Sequence, residues 1–467
     1  MPHHDVLVIG GGTGNNVAAA AADAGMDAAL VEPGPLGGTC LNRGCNPSKM
    51  LIKAADAVEG VRGADRFGVD ATLHGVDTGS VVRAMDDTLS GIAAGMEDRY
   101  RAKEHLTLYD AYGRFVDDRT VALESRDGEG TADAGLELTA DRIVVATGSR
   151  PLVPPIDGLG AVDYLTSQEA LYLEDPPDSL VVLGGGYIAV ELGYYFGAMG
   201  TDVTLIEMEP SLIPREDADV AEAFTAIAAD RHDVYTGYRA TGVEPAGDGV
   251  RVHAEPEDGD AVAVEADDVL VALGRRPNTD DLGLDAAGVA VDDRGFVETD
   301  EQLRTTADGV WAQGDVAGNA LFKHGGDYET QHTVGNVVHD EGRAVDYSAM
   351  PHAIFTEPQI GGVGATEEEL VADGDDYVVG RAELPDQAMG RAMKLDHGFA
   401  KVLAAPDGAI LGCHVLGHEA STLIHEAVVA MRHGLAVGDV ADTIHAHPTL
   451  SKVMEAAFRD ASEALDG

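Results

Sequence analysis

Two stretches of this chain run strand, glycine turn, helix, strand, and a chain that repeats that order is committed to two doubly wound α/β domains. The first is DVLVIGGGTGNNVAAAAADAG, residues 5–25, followed by DAALVE ending at Glu32. Gly10 and Gly12 stand in the glycine positions of a dinucleotide fingerprint, and Glu32 follows about 20 residues on, where a ribose hydroxyl needs an acceptor. The sixth position is Asn15 rather than glycine. The second is SLVVLGGGYIAVELGYYFGAMGTDVTLIE, residues 179–207, with Gly184, Gly186 and Ala189 in the turn and Glu207 at the strand end. Glycines let the backbone approach a pyrophosphate, and the helix N-terminus that follows favours its negative charge. Two such sites imply two dinucleotides, most simply a flavin that stays and a nicotinamide that comes and goes.

Two related strand ends bracket the second fingerprint, DRIVVATGSRP at 141–151 and DDVLVALGRRPNTD at 267–280. Each is an apolar strand running into a glycine and a basic residue before proline, as where a chain leaves one domain for another. The expected order is therefore a flavin domain over 1–150, an inserted nicotinamide domain over 151–274, and a return to the flavin domain over 275–346. That return carries TTADGVWAQGDVAG, in which Asp315 is placed to take a ribityl hydroxyl. From 347 to 467 the strands FAKVLAA and AILGCHVLG and the helical runs after them read as an α+β interface domain.

The formal charge is −51, from 82 acidic against 31 basic residues, only seven of them lysine. The acids are spread along the chain in loops such as AEPEDGD, residues 254–260, which argues against a single acidic tail. At molar salt the Debye length is about 3 Å, so self-repulsion of this size is screened there. A halophilic cytoplasm is the expected setting. No basic patch exists to meet nucleic acid phosphates. No apolar run approaches the roughly 20 residues of a membrane span, and the first strand begins too early for a signal peptide.

Two of the three cysteines lie in GGTCLNRGCNPSK, residues 37–49. Four residues separate Cys40 from Cys45, which is not zinc-ribbon spacing, and no further Cys or His cluster completes a metal site. A reducing cytoplasm makes a purely structural disulfide unlikely and a catalytic one natural. PSKMLIKAADAVEGV reads as a helix, so Cys45 stands at a helix N-terminus, where a thiolate is favoured. Cys413, in an apolar strand, reads as a core residue.

With these motifs the whole chain resembles the FAD-dependent pyridine nucleotide-disulfide reductases, the family of dihydrolipoamide dehydrogenase, glutathione reductase, mycothione reductase and mercuric reductase. The resemblance implies that Cys40 exchanges with substrate and that Cys45 contacts the flavin, with Lys49 near the flavin and paired to Glu191. It further implies a FAD site using Gly10, Gly12, Gly14, Glu32 and Thr39, with Lys49, Gly113, Thr147, Gly148 and Ser149, and with Gly274, Asp315 and His324. The nicotinamide would use Gly184, Gly186, Ala189 and Glu207. The protein would be a homodimer sharing its active sites, with His447 of HAHPTLSK supplied across the interface as general acid and base. His445 reads as structural.

One departure stands out. The family's HPxxxE pattern has a glutamate five residues after the histidine, and here that residue is Lys452. A lysine does not stabilise an imidazolium; Glu455 is the nearest substitute. Arg43, inside the redox loop where valine is common, and Lys452 are the expected substrate-binding cations. A second cysteine pair, as in mercuric reductases and large thioredoxin reductases, is absent from the sequence. Two substrates are weighed: a small anionic disulfide, for which the chain is most similar to the bis-γ-glutamylcystine reductases of halophilic archaea, and dihydrolipoamide. A non-catalytic flavoprotein would have no need of both cysteines, His447 and both fingerprints. Glu207 favours NADH, whereas the resemblance of GGGYIAVE to glutathione reductase favours NADPH; the sequence leans to NADPH.

Overall fold

The apolar runs become parallel strands because both of their faces are covered: Val6, Leu7 and Val8 are fully buried, as are Val181 and Val182. The computed structural model describes residues 1–125 and 131–466. It forms two compact units, one of 1–50, 80–152 and 274–346, the other of 51–79, 153–273 and 347–467.

In the first unit the described residues build a seven-stranded sheet. Strands Leu106–Tyr109, Ala28–Val31, His3–Ile9 and Glu137–Val145 lie side by side in parallel. Glu137–Val145 is long enough to serve two neighbours on its other edge. Its first half pairs antiparallel with Thr120–Glu124, and its second half pairs parallel with Val310–Ala312, the strand that leads to Asp315. The chain leaves and re-enters this unit through a short antiparallel pair, Ser149–Pro151 with Arg275–Pro277.

Among the described residues the second unit contains three sheets. Asp233–Thr236, Asp202–Glu207, Ser179–Leu183 and Asp268–Val271 form a parallel sheet, beside which Tyr238–Ala246, Gly249–Pro256 and Val262–Ala266 make an antiparallel meander. The third is five-stranded and antiparallel, with Ile410–Gly417 at its centre. Helix Lys452–Asp466 buries Val453, Ala457, Phe458 and Ala461 against it. The approach is close enough that a Cβ at Gly380 would stand 2.3 Å from the Ala457 carbonyl oxygen, so only glycine fits. Cys413 is fully buried in this core. Residues 51–79, read in the sequence as part of the flavin domain, belong to this unit, tied in by Tyr194 Oη donating to Asp56 at 2.9 Å and by Thr78 Oγ1 donating to the Glu174 carbonyl at 2.9 Å.

No described helix is long and apolar enough to cross a membrane.

Candidate active site

The two fingerprints begin with the same glycine turn. Gly10 has φ 113°, and a Cβ there would lie 2.2 Å from the Ala146 carbonyl; Gly184 has φ 109°, and a Cβ would lie 2.6 Å from the Ala272 carbonyl. Each glycine turns the chain under the end of a neighbouring strand. Gly14 does a different job, leaving room for Ala146 and Val8 where the helix packs on the sheet. Asn15 replaces the last fingerprint glycine without cost because its buried Nδ2 donates to the Gly11 carbonyl at 3.2 Å.

The acids match as well. Glu32 accepts from the Gly11 N–H at 2.6 Å and from the Gly34 N–H at 3.0 Å. Glu207 accepts from the Gly185 N–H at 2.5 Å and from the Glu209 N–H at 2.8 Å. Burial pushes the Glu32 carboxyl up from the ordinary carboxylate range, while those two N–H bonds and the nearby positive charge of Arg43 oppose the rise. In front of each loop there is open space: a Cβ at Gly186 would meet nothing within 4 Å, and one at Gly12 only Gly38, at 3.8 Å. Bared helix N-termini, glycine cradles and strand-end carboxylates fit two dinucleotides. Ala189 is buried behind the second loop, and Gly148 and Gly274, with φ 68° and 112°, each face open space.

Asp315 sits in a 3-10 turn, Gly314–Val316, after the strand Val310–Ala312. It accepts from the Ser149 hydroxyl, and Arg275 lies 3.7 Å away while donating to Ser149 Oγ at 2.8 Å and to the Ser149 carbonyl at 2.7 Å. Thr147 Oγ1 donates to the Asn278 carbonyl at 3.0 Å. Two members of this group escaped sequence reasoning. Arg275 was visible only as a basic residue before a proline. Glu329, fully buried, accepts from the Gly314 N–H at 2.6 Å and so fixes the turn that presents Asp315. A lone glutamate in a polar helix gives no signal of this. Gly113, expected at the flavin, is buried with its vacant side-chain position filled by Ile9 and Val121, so the glycine answers to sheet packing. His324 is exposed at the start of helix Lys323–Val338, stacked on Phe322.

The redox segment folds as two helices rather than one. Gly38–Arg43 carries Thr39 and Cys40, Gly44 breaks the run, and Cys45 begins helix Cys45–Arg62. A side chain at Gly44 would stand 3.0 Å from the Thr39 carbonyl oxygen, which is why the break is a glycine. The break sets the thiols side by side. Both are thiols, and Cys40 hydrogen-bonds to Cys45. That bond, then burial and the negative charge of its neighbour, hold the Cys40 proton on well above the usual thiol range, while the ammonium of Lys323 pulls the other way. Cys45 is exposed at the helix N-terminus. Lys49, one turn on, donates to Ser48 Oγ at 3.3 Å.

In the second unit, Glu191 is buried in the fingerprint helix Tyr187–Met199 and accepts from the Phe355 N–H at 2.9 Å. His447 is exposed in the loop before the last helix, whereas the side chain of His445 is covered between Glu426 and Glu455. Lys452, expected as a free cation, is paired with Glu455, which also binds Arg459 at 2.7 Å. Glu455 is thus committed within its own helix. Arg43, the other expected substrate cation, turns toward the first fingerprint: its Nη2 lies 3.7 Å from where a Gly34 Cβ would be, drawn by the half-buried Glu32 carboxylate.

This geometry agrees with comparison to known proteins. Residues 4–339 match the model of the pyridine nucleotide-disulphide oxidoreductases, and residues 350–458 match that family's dimerisation domain. A dihydrolipoyl dehydrogenase of Halobacterium salinarum is 39% identical over 97% of this chain and 95% of its own. A mycothione reductase of Mycobacterium tuberculosis is 36% identical over 98% of this chain and 99% of its own. Among solved structures, the HOCl-induced flavoprotein disulfide reductase RclA of Escherichia coli, as its Cu(II) complex, superposes with a TM-score of 0.87 at 27% identity, covering 98% of this chain and 99% of the other. The chain belongs to the pyridine nucleotide-disulphide oxidoreductase family. It is an NAD(P)H-dependent flavoprotein disulfide reductase that uses FAD and forms homodimers through its dimerisation domain.

Proposed function

We propose that the protein reduces a small, carboxylate-bearing disulfide, specifically bis-γ-glutamylcystine to γ-glutamylcysteine, in a halophilic cytoplasm. The carrying observation is Lys452 in the place of the acid that follows the histidine in HPxxxE. Glu455, the candidate substitute, is held by Lys452, Arg459 and His445. Where the family pattern has a negative group, this chain has Lys452, which shares the one carboxylate of Glu455 with Arg459, and a basic position there supports a carboxylate-bearing disulfide over a neutral lipoamide arm.

FAD is assigned to residues 1–150 and 275–346, the nicotinamide to 151–274, and dimerisation to 347–467. When bound, FAD relays two electrons from the nicotinamide to the cysteine pair. Lys49 and Glu191 support the flavin side of the pair. The Cys40 sulfur attacks one substrate sulfur, forming a mixed disulfide and releasing one thiol, which takes its proton from the partner subunit's His447. Cys45 then attacks the Cys40 sulfur, closing the internal disulfide and releasing the second thiol. The two thiol protons of the reduced pair balance the two product thiols.

For the nicotinamide, the geometry of Glu207 supports NADH over the NADPH to which the sequence leaned. Its carboxylate lies at the strand end, where a ribose hydroxyl is accepted and a phosphate repelled, and Glu209 follows it. Dihydrolipoamide oxidation is the second reading, favoured by dihydrolipoyl dehydrogenases of three haloarchaea at 38–39% identity.

The test is turnover in molar KCl with NADH and NADPH against bis-γ-glutamylcystine, glutathione disulfide and lipoamide. We expect kcat/KM for the γ-glutamyl disulfide to exceed that for lipoamide by about tenfold or more. Faster turnover of lipoamide and dihydrolipoamide with the NAD couple would replace this reading with the second.

A further inference from the structure

Arg43 ends the short helix Gly38–Arg43 and lies between the two redox cysteines in sequence, yet its guanidinium lies beside Gly34. Nη2 stands 3.7 Å from the vacant Cβ position of Gly34, the residue whose N–H is bonded to Glu32 Oε1 at 3.0 Å. The other Glu32 oxygen takes the Gly11 N–H of the fingerprint. Arg43, Gly34, Glu32 and Gly11 therefore form one cluster at the strand end where the adenosine ribose of a dinucleotide is held.

Three features of this cluster point to a phosphate-bearing ligand. The helix that follows, Gly14–Asp23, has no acidic residue in its first turn, and its N-cap Thr13 makes no side-chain capping bond, so its leading N–H groups face the cradle uncapped. The cradle itself, GGGTGNN, contains no cation. Arg43 forms no direct ion pair with a carboxylate among the described residues, although most arginines of this strongly acidic chain do. A guanidinium offers five donors in a fork that matches phosphate oxygens.

We propose that Arg43 is a flavin-holding residue, whose guanidinium binds the adenosine-diphosphate half of FAD beside Glu32 and Gly34 instead of reading the disulfide substrate. In a chain of net charge −51 a dianionic diphosphate enters a repulsive field, and a cation at the cradle offsets it locally. Arg43 is exposed, so its contribution at molar salt is a direct guanidinium–phosphate contact, at a range that the ionic atmosphere screens least. The proposal concerns the cofactor alone and stands whichever disulfide proves to be the substrate.

The experiment is equilibrium FAD binding to apoprotein, read from the fluorescence of free flavin in molar KCl, for wild type, Arg43→Ala, Arg43→Gln and Arg43→Lys. Circular dichroism of each apoprotein selects the variants that are folded; Arg43→Gln, which preserves size and polarity, serves if Arg43→Ala is not. We expect the FAD dissociation constant to rise about tenfold or more in Ala and Gln and to be partly restored in Lys. The KM for the disulfide, measured at saturating FAD, stays within about twofold of wild type. An unchanged FAD dissociation constant overturns the proposal, and a raised disulfide KM with intact flavin affinity returns Arg43 to the substrate.

Discussion

Glu32 and Glu207 each brace a fingerprint loop with one carboxylate oxygen and the next turn of chain, two residues on, with the other. This dual duty gives Glu207 a measurable weight. A hydrogen bond to a charged group is worth roughly 1.5–3 kcal/mol. Glu207→Ala should therefore raise the KM for NADH by about tenfold or more and bring the NADPH to NADH ratio of kcat/KM up toward or past unity, because the acceptor for the ribose hydroxyl and the repulsion of a phosphate vanish together. Steady-state kinetics with both nucleotides checks this; a variant that keeps the wild-type ratio removes Glu207 from coenzyme choice. The two glutamates were legible in the sequence because their spacing from the glycines is local. Cys40 and Cys45 were legible for the same reason. The direction of Arg43 was not, since it depends on which carboxylate lies across the loop.

At the scale of elements, the strand Phe399–Ala404 carries the sharpest departure from pattern. FAKVLAA reads as an apolar strand, and all six residues of the observed strand are buried, including Lys401. Its cross-strand neighbours are Arg381 and His414, so a basic row crosses the sheet. Into that row comes the start of helix Ala218–Ala229, whose N-cap Asp217 is fully buried and bonds Lys401 at 2.9 Å, with Asp219 and Glu367 also on the ammonium. Next to it, Glu216 accepts from Tyr187 Oη at 2.6 Å and pairs with His352 at 2.8 Å. The run PREDAD, residues 214–219, leads into that helix, but nothing in its spacing reveals that a lysine 184 residues on would receive Asp217. A lysine amid buried strand positions, in a chain with seven lysines, was the available signal. Lys401→Met leaves Asp217 buried and unpaired, and we expect a loss on the order of 3–5 kcal/mol in urea denaturation. Raising the salt concentration should recover little of it, because the pair is out of reach of solvent ions. A loss below about 1 kcal/mol would mean that the acids are already solvated or neutral.

Across the whole molecule the charge balance is set by the shortage of cations. Among the described residues Lys53, Lys103, Lys323, Lys401 and Lys452 are ion-paired, so most of the scarce ammonium groups are engaged and the excess carboxylates face solvent. The fold class was legible at this scale from the repeated fingerprints. The attachment of 51–79 to the second unit was not, because it is made by side-chain contacts such as Tyr194 with Asp56, which leave no periodic trace. The exposed excess makes stability a function of ionic strength. The Debye length grows from about 3 Å at 1 M salt to about 10 Å at 0.1 M, so carboxylates that are isolated from one another at high salt repel over several neighbours at low salt. The thermal midpoint should fall steadily as KCl is lowered from molar to decimolar, by several degrees or more, and NaCl at equal ionic strength should reproduce the curve. Sucrose stabilises compact states by exclusion but screens nothing, so it should shift the midpoint without flattening its dependence on salt. A midpoint that is constant across this range would show that the negative surface is neutralised by tightly bound ions and not by the ionic atmosphere.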